Sequence, residues 1–193
     1  MIAYQIGSSL YLNVTNKCTN DCYFCIRNLA PGVAGYDLRL EEDPSPREII
    51  DKIGDPRKYD QVVFCGFGEP LVSLDTVKEV SRWLKGRGAY VRVDTNGLAN
   101  LYHGRNVLPE LEGLVDAISV SLNAESGEKY CRICRPVFGD DSFPALLDFI
   151  EQAKKYIPSV RVSVVDVEEI DIEACRELAR DLGVGFRVRH YSP

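Results

Sequence analysis

The sequence predicts an α/β fold with a mostly parallel sheet, in the form of a partial (β/α)6 barrel. Three observations carry that expectation. Short Val- and Ile-rich segments alternate with amphipathic helical stretches, a pattern that gives parallel strands joined by crossover helices. Six such strands in 193 residues are too few for a closed eight-stranded barrel, which needs about 250 residues. The strands also carry one apolar and one polar parity, as a curved sheet does when helices cover one face and a wet cavity the other.

Taken in order, a short extended piece at residues 2–6 turns at Gly7-Ser8 into a first strand at 9–15. Ser45-Pro46-Arg47-Glu48 reads as a helix start, with Ser as N-cap, Pro in the first turn and Glu at the capping-box position. The second strand covers 61–65. Residues 73–85 form a helix with Leu74, Val77, Val80 and Leu84 on one face, ended by Gly86 and Gly88. Strands three and four cover 90–95 and 117–122. A helix at 142–157 carries Leu146, Leu147, Ile150 and Ala153 on one stripe and stops at Pro158. Strand five is 160–165. Asp171 caps a helix that turns Ile172, Cys175, Leu178 and Leu182 inward and closes at Gly183. Strand six is 186–190.

Val91, Val93, Ile118, Val120, Val160, Val162, Val164, Phe186 and Val188 form the apolar parity; Arg92, Asp94, Ser119, Ser121, Arg161, Ser163, Arg187 and Arg189 form the polar one. The apolar set packs on the helices, which leaves the polar set in the lumen or, for some arginines, facing solvent at an open edge. Arg92, Arg161, Arg187 and Arg189 suit an anionic substrate, because a guanidinium fork matches carboxylate or phosphate. Arg132 and Arg135, flanking Cys134, add to that set. Ion pairing with the chain's own acids, Asp94 first, is the alternative.

A net charge of −6 argues against broad nonspecific nucleic-acid binding. There is no apolar run long enough to span a bilayer, and the start M-I-A-Y-Q-I-G lacks the pattern of a signal peptide. One domain over residues 1–193, with no auxiliary domain and a cytoplasmic location, is expected. In a reducing compartment the seven cysteines read as metal or redox ligands more than as disulfides.

Chemistry on parallel sheets collects at the C-terminal strand ends. After the first strand stand Cys18, Cys22 and Cys25, in C-T-N-D-C-Y-F-C. Three thiolates so spaced can hold three corners of a [4Fe–4S] cluster and leave the fourth iron open. An electron-transfer cluster takes four, and an open position is built for chemistry. The spacing also allows zinc, with Cys131 and Cys134 as a second pair, or free thiols. A second cluster on Cys131 and Cys134 needs two more ligands. The second strand ends in F-C-G-F-G-E-P-L. Gly66 and Gly68 let backbone approach a ligand, and Glu69 can accept from an ammonium. Alone, this segment reads as a turn before a helix. The third strand ends in Asp94-Thr95-Asn96-Gly97, by itself an ordinary turn. The fourth ends in Ser119, Ser121 and Asn123, which suit hydroxyl or carboxylate groups of a ligand or bond the barrel's own backbone. Residues 162–166 of the fifth strand are a further candidate ligand contact at the same end of the sheet. Cys65 and His190, at strand ends, are acid–base or thiol candidates; His103 reads as structural and Cys175 as a small core hydrophobe.

The cysteine run, with Phe24 before its last cysteine, resembles the signature of radical S-adenosylmethionine (SAM) enzymes. The resemblance implies a TIM-like barrel core, an open iron that chelates the amino and carboxylate groups of SAM, and reductive cleavage to a 5′-deoxyadenosyl radical that abstracts hydrogen from a substrate. It implies no catalytic side chain beyond the cluster ligands. SAM contacts then fall on Phe24, Gly66, Gly68, Glu69, Thr95, Asn96, Ser119, Ser121 and Asn123. The family's Gly-Gly-Glu motif is altered here, with Phe67 where the first glycine of the pair would stand. Nearly end to end, the chain is similar to the small radical SAM proteins described as TatD family-associated. The segments Y-Q-I-G-S-S-L-Y-L-N-V-T-N-K-C-T-N-D-C-Y-F-C-I-R, V-V-F-C-G-F-G-E-P-L, H-G-R-N-V-L-P-E-L, I-S-V-S-L-N-A-E and I-C-R-P-V-F-G carry this likeness. It implies a functional link to TatD-type metal-dependent hydrolases and an electron donor such as flavodoxin or ferredoxin. The substrate is a small anionic metabolite or a protein partner activated as a glycyl-radical enzyme. The rival from another class is a non-enzymatic Fe–S sensor or zinc-binding module.

Overall fold

The computed structural model describes residues 1–29 and 32–191. Its main sheet has seven strands: β1 (Ala3–Ile6), β2 (Ser9–Leu12), β5 (Gln61–Phe64), β6 (Val91–Thr95), β7 (Ala117–Ser121), β8 (Ser159–Val165) and β9 (Gly185–Arg189), in that spatial order. β1 folds back antiparallel on β2 through Gly7, whose φ of +58° favours glycine. The other five pairings are parallel. Each next strand adds to the same growing edge, as right-handed crossovers on one face require. This is the expected α/β sheet of six parallel strands.

The register shows how the two parities divide the molecule. Leu12, Phe64, Val93, Ile118 and Val160 form one row across the sheet. One residue on, Asp94, Ser119, Arg161 and Gly185 form the next. The apolar row belongs to the core, where Phe64, Val93, Ile118, Val120, Val162 and Val164 are fully buried. The polar row points to the opposite face.

Four helices cover the apolar face: α2 (Pro46–Ile53), α3 (Leu74–Lys85), α6 (Ser142–Tyr156) and α7 (Ile172–Asp181). The α2 capping box forms as read, with Glu48 N donating to Ser45 Oγ at 3.3 Å and Ser45 N to Glu48 Oε2 at 2.8 Å; such a cap is worth about 1 kcal/mol. Leu74, Val77, Val80 and Leu84 of α3 are buried. In α6, Leu146, Ile150 and Ala153 are buried with Phe143 and Phe149, while Leu147 sits half-buried at the margin. In α7 only Cys175 and Ala179 are buried; Ile172, Leu178 and Leu182 are half-buried. That departs from the expected inward stripe, because α7 and β9 lie at the edge of the sheet and have a neighbour on one side only.

Several short elements escape sequence periodicity: α1 (Ile26–Leu29), the two-residue strands β3 (Gly32–Val33) and β4 (Tyr36–Asp37), α4 (Ala99–His103) and α5 (Gly127–Cys134). A 3-10 turn at Pro70–Ser73 precedes α3. No helix among the described residues is long and apolar enough to cross a membrane.

Candidate functional site

The loop that follows β2 carries the three cysteines, and tertiary hydrogen bonds pin it on three sides. Asn13, fully buried, accepts from Phe67 N at 3.1 Å and so ties the loop's start to the segment after β5. Farther on, Asp21 N donates to Cys134 O at 3.0 Å, Tyr23 N to Ile133 O at 3.2 Å, and Val137 N to Thr19 O at 2.9 Å. The C-terminal end of α5 is thereby docked along the cysteine run. Arg27 completes the clamp, donating from Nη1 to Asn16 O at 3.1 Å and from Nη2 to Asn20 O at 2.9 Å.

Cys18, Cys22 and Cys25 are half-buried free thiols. Cys18 Sγ accepts from Asn20 N at 3.4 Å and from Asn96 Nδ2 at 3.7 Å; burial, then the nearby Glu69 charge, pushes its thiol up to about 12. Cys22 lies beside fully buried Cys134, a pairing that lowers the Cys22 thiol and raises that of Cys134. The donor set is therefore three soft sulfurs on one hydrogen-bonded loop, with N–H groups aimed at Cys18. Among the described residues no three His, Cys, Asp or Glu side chains gather around one point as a single ion needs. A cluster asks one thiolate per iron, and these residues fit it. Cys131 does not join Cys134: its thiol donates to Gly139 O at 3.4 Å, while Cys134 turns to Cys22. The spacing alone had allowed that pair as zinc ligands or part of a second cluster.

Glu69 stands beside this loop. Its carboxylate is 4% exposed and accepts from Thr95 Oγ1 at 2.7 Å, Asn96 N at 2.7 Å and Leu71 N at 3.0 Å. No cationic side chain among the described residues pairs with it. Burial lifts its carboxyl to about 7, against the pull of those three donors. Such a group can accept a further hydrogen bond from a ligand's N–H. Gly68 explains the closeness of the two segments: a Cβ there would lie 2.4 Å from Lys17 O and from Thr15 O, and Glu69 N donates to Lys17 O at 2.8 Å. Gly66 lies as tightly against Asn13. Phe67 turns away into a small cluster with Tyr4 and Leu38. Phe24 is half-buried, edge-on to Tyr23.

Thr95 and Asn96 are thus joined to Glu69 and Cys18 in one network. Asn96 Nδ2 also donates to Thr19 Oγ1 at 2.8 Å. Ser119 is buried on the polar parity, and Ser121 Oγ accepts from Arg189 Nη2 at 3.3 Å. Asn123 is placed differently. Its backbone is left-handed (φ +52°) and its Oδ1 accepts from Val165 N at 3.2 Å, which ties two strand ends together.

The four lumen arginines separate. Arg92 is buried and bidentate on Asp94 at 2.8 and 3.2 Å, with Gln61 Oε1 at 3.0 Å. Arg161 has no carboxylate partner among the described residues, and its Nε is buried without a hydrogen bond. Burial, with Arg92 and Arg187 nearby, holds its guanidinium below the usual range. Arg187 and Arg189 are exposed on the edge strand. Cys65 follows β5 beside Asp94, and burial raises its thiol strongly. His190 is exposed, its Nδ1 at 2.6 Å from Asp166 Oδ2. His103 meets Leu71 O at 2.8 Å, a structural contact.

Sequence reasoning missed Asn13, Thr19, Asn20, Arg27 and Tyr130. Asn20 donates to Tyr130 OH at 2.9 Å across the loop. The one signal available was the run of polar side chains between the cysteines.

The comparisons agree with this geometry. The profile of the radical SAM superfamily matches residues 12–182. An uncharacterized protein of Methanocaldococcus jannaschii, MJ0804, is 30% identical over 79% of this chain and 46% of its own length. A probable GTP 3′,8-cyclase of Thermococcus kodakarensis is 30% identical over 81% of this chain and 47% of its own. The chain spans about half the length of these curated relatives. Among solved structures, Streptococcus suis SuiB aligns with a TM-score of 0.68 at 14% identity, over 96% of this chain and 40% of its own. anSMEcpe with bound AdoMet aligns at 0.62 and 14%, over 94% and 50%. At such identity these two show the fold. The superfamily uses a [4Fe–4S] cluster and SAM. With a profile match over residues 12–182 and the cysteine loop at the sheet's C-terminal end, the chain belongs to the radical SAM superfamily.

Proposed function

We propose that this chain is the core of a radical SAM enzyme that acts on an anionic substrate. One observation carries the reading: Glu69, a buried carboxylate with three donors and no cation, is bonded through Asn96 to the Cys18 thiol. A ligand that brings an amino N–H donor to Glu69 is held against the cysteine loop, as SAM bound to a cluster would be. Cys18, Cys22 and Cys25 would hold the cluster; Gly68, Glu69, Thr95, Asn96 and Ser119 would line the SAM site. When bound, the pair supplies a carbon-centred radical, and the protein's part is to bind, aim and exclude water. Arg161, without a carboxylate partner among the described residues, with Arg187 and Arg189 toward the edge, supports a carboxylate or phosphate on the substrate. The exposed side of β9 also favours a second reading, in which a protein partner covers that edge and is activated as a glycyl-radical enzyme. We place the chain near the TatD family-associated group on its sequence segments, with a functional link to a TatD-type hydrolase and a flavodoxin- or ferredoxin-type reductant.

The test is anaerobic. The protein is reconstituted with iron and sulfide, given SAM and a strong reductant, and assayed for 5′-deoxyadenosine. Product in the parent and none in Cys22→Ala supports the reading. A chain that loads iron and binds no SAM returns the sensor or zinc alternative.

A further inference from the structure

Arg27 is a second cationic feature of the cysteine loop, and the mechanism of SAM binding makes no use of it. Two of its nitrogens are spent on the backbone: Nη1 on Asn16 O and Nη2 on Asn20 O. These bonds fix the plane of the guanidinium across the base of the loop. The third, Nε–H, is buried and has no hydrogen-bond partner among the described residues. A buried guanidinium N–H left unpaired is costly, and a partner that binds later would relieve that cost. The same guanidinium lies beside the Cys18 and Cys25 thiols. The chemistry that satisfies it is a negatively charged sulfur.

We propose that the Nε–H of Arg27 donates a hydrogen bond to a sulfur of the bound cluster, at or next to Cys25, and thereby sets the cluster's reduction potential. The inference rests on the radical SAM reading and deepens it: Arg27 is a positioning residue that no motif names. Hydrogen bonds to cluster sulfurs and local charge are the levers by which a protein moves such potentials. The reduced cluster carries one more negative charge than the oxidised one, so a fixed cation favours it. Removing the cation moves the midpoint to more negative values.

The experiment uses the reconstituted full chain. Protein labelled with 15N-arginine is reduced and examined by pulsed EPR, and the cluster midpoint is measured for parent, Arg27→Lys and Arg27→Gln. The expected result is a weak 15N coupling to the reduced cluster in the parent, lost in both variants. The midpoint falls in Arg27→Gln, with Arg27→Lys between it and the parent. A fully loaded, SAM-cleaving parent with no 15N coupling overturns the proposal and leaves the radical SAM reading standing; that measurement needs no variant to fold. Equal midpoints in parent and Arg27→Gln at equal iron content overturn it too. A chain that assembles no reducible cluster overturns both.

Discussion

Asn96 donates its backbone N–H to Glu69 at 2.7 Å and its side-chain amide to the Cys18 thiol at 3.7 Å. The end of the third parallel strand thereby couples the buried carboxylate to the cysteine loop. Replacing Glu69 with Gln keeps the size and removes the charge. A charge-assisted hydrogen bond is worth about 1.5–3 kcal/mol, so SAM affinity is expected to drop roughly ten- to hundredfold. Iron per chain should not change, because Glu69 is no ligand. Calorimetric titration of SAM into the reconstituted variant checks this, and parent-like affinity would remove Glu69 from the site.

The same carboxylate predicts a pH dependence. Burial raises Glu69 to about 7, above the roughly 4.3 of an unfolded glutamate. Its contribution to stability is complete below the unfolded value and is lost as pH rises through about 7. A ligand that donates N–H to the carboxylate favours the ionised form, so binding runs the other way. SAM affinity at pH 8 should exceed that at pH 6 by about tenfold, the change in ionised fraction across a pKa of about 7. The Glu69→Gln variant should show a flatter profile. Identical slopes for both proteins would contradict the assignment.

Gly68 and Gly86 make a matched pair. A Cβ on Gly68 would meet two backbone oxygens of the cysteine loop at 2.4 Å, whereas one on Gly86 has nothing nearer than Arg82 O at 3.4 Å. Gly68→Ala should push the loop outward, cost about 1–3 kcal/mol and lower cluster loading. Gly86→Ala, at a right-handed helical φ of −61°, should be neutral or stabilise by about 0.4–1 kcal/mol. Urea melts and iron analysis of both variants decide the point; equal loading would show the loop yields freely.

Cys134 separates proximity from ligation. It is fully buried beside Cys22, yet it lies outside the C-x3-C-x2-C run. Cys134→Ala is expected to retain iron and sulfide at the parent level, with a loss of stability of about 1 kcal/mol for a small buried group. Cys22→Ala should fail to hold a stable cluster. Iron loss in Cys134→Ala equal to that in Cys22→Ala would make Cys134 a ligand.

The parallel strands and the chemistry-bearing strand ends were legible in the sequence because each rests on local periodicity. Alternation placed Val93 and Ile118 inward and Asp94, Ser119 and Arg161 on the other face, and the register bears this out. The cysteine run and Glu69 were legible from spacing and from their place after a strand. What stayed hidden is tertiary. The bond between Asn20 and Tyr130 joins residues 110 positions apart, and nothing local announces that the end of α5 docks beside Cys22. Arg27 reads as an ordinary charged residue until the loop folds over it. α4 and α5 are too short to show a helical period. The inward stripe read for α7 overstated its burial, since a repeating pattern does not say how many neighbours a helix will have.

The two central arginines should respond oppositely to the same change, because one is neutralised and the other is not. Arg92 already holds Asp94 in a two-pronged pair, and Arg161 stands on the neighbouring row with a buried, unbonded Nε. Gly185, opposite Arg161, would bring a Cβ to 3.2 Å from the Arg161 Cβ, so the edge strand leaves that side chain its room. Arg161→Gln removes an uncompensated cation crowded by Arg92 and Arg187. It is expected to keep or slightly raise stability while weakening an anion on the polar face roughly ten- to hundredfold. Arg92→Gln strands a half-buried Asp94 and is expected to cost about 3–5 kcal/mol, the range for breaking one side of a buried pair. Pyrophosphate titrated into the reconstituted parent and both variants, alongside urea melts, reads the two effects separately. Pyrophosphate affinity unchanged in Arg161→Gln would take Arg161 out of the substrate site and leave its orphaned nitrogen a structural feature of the sheet.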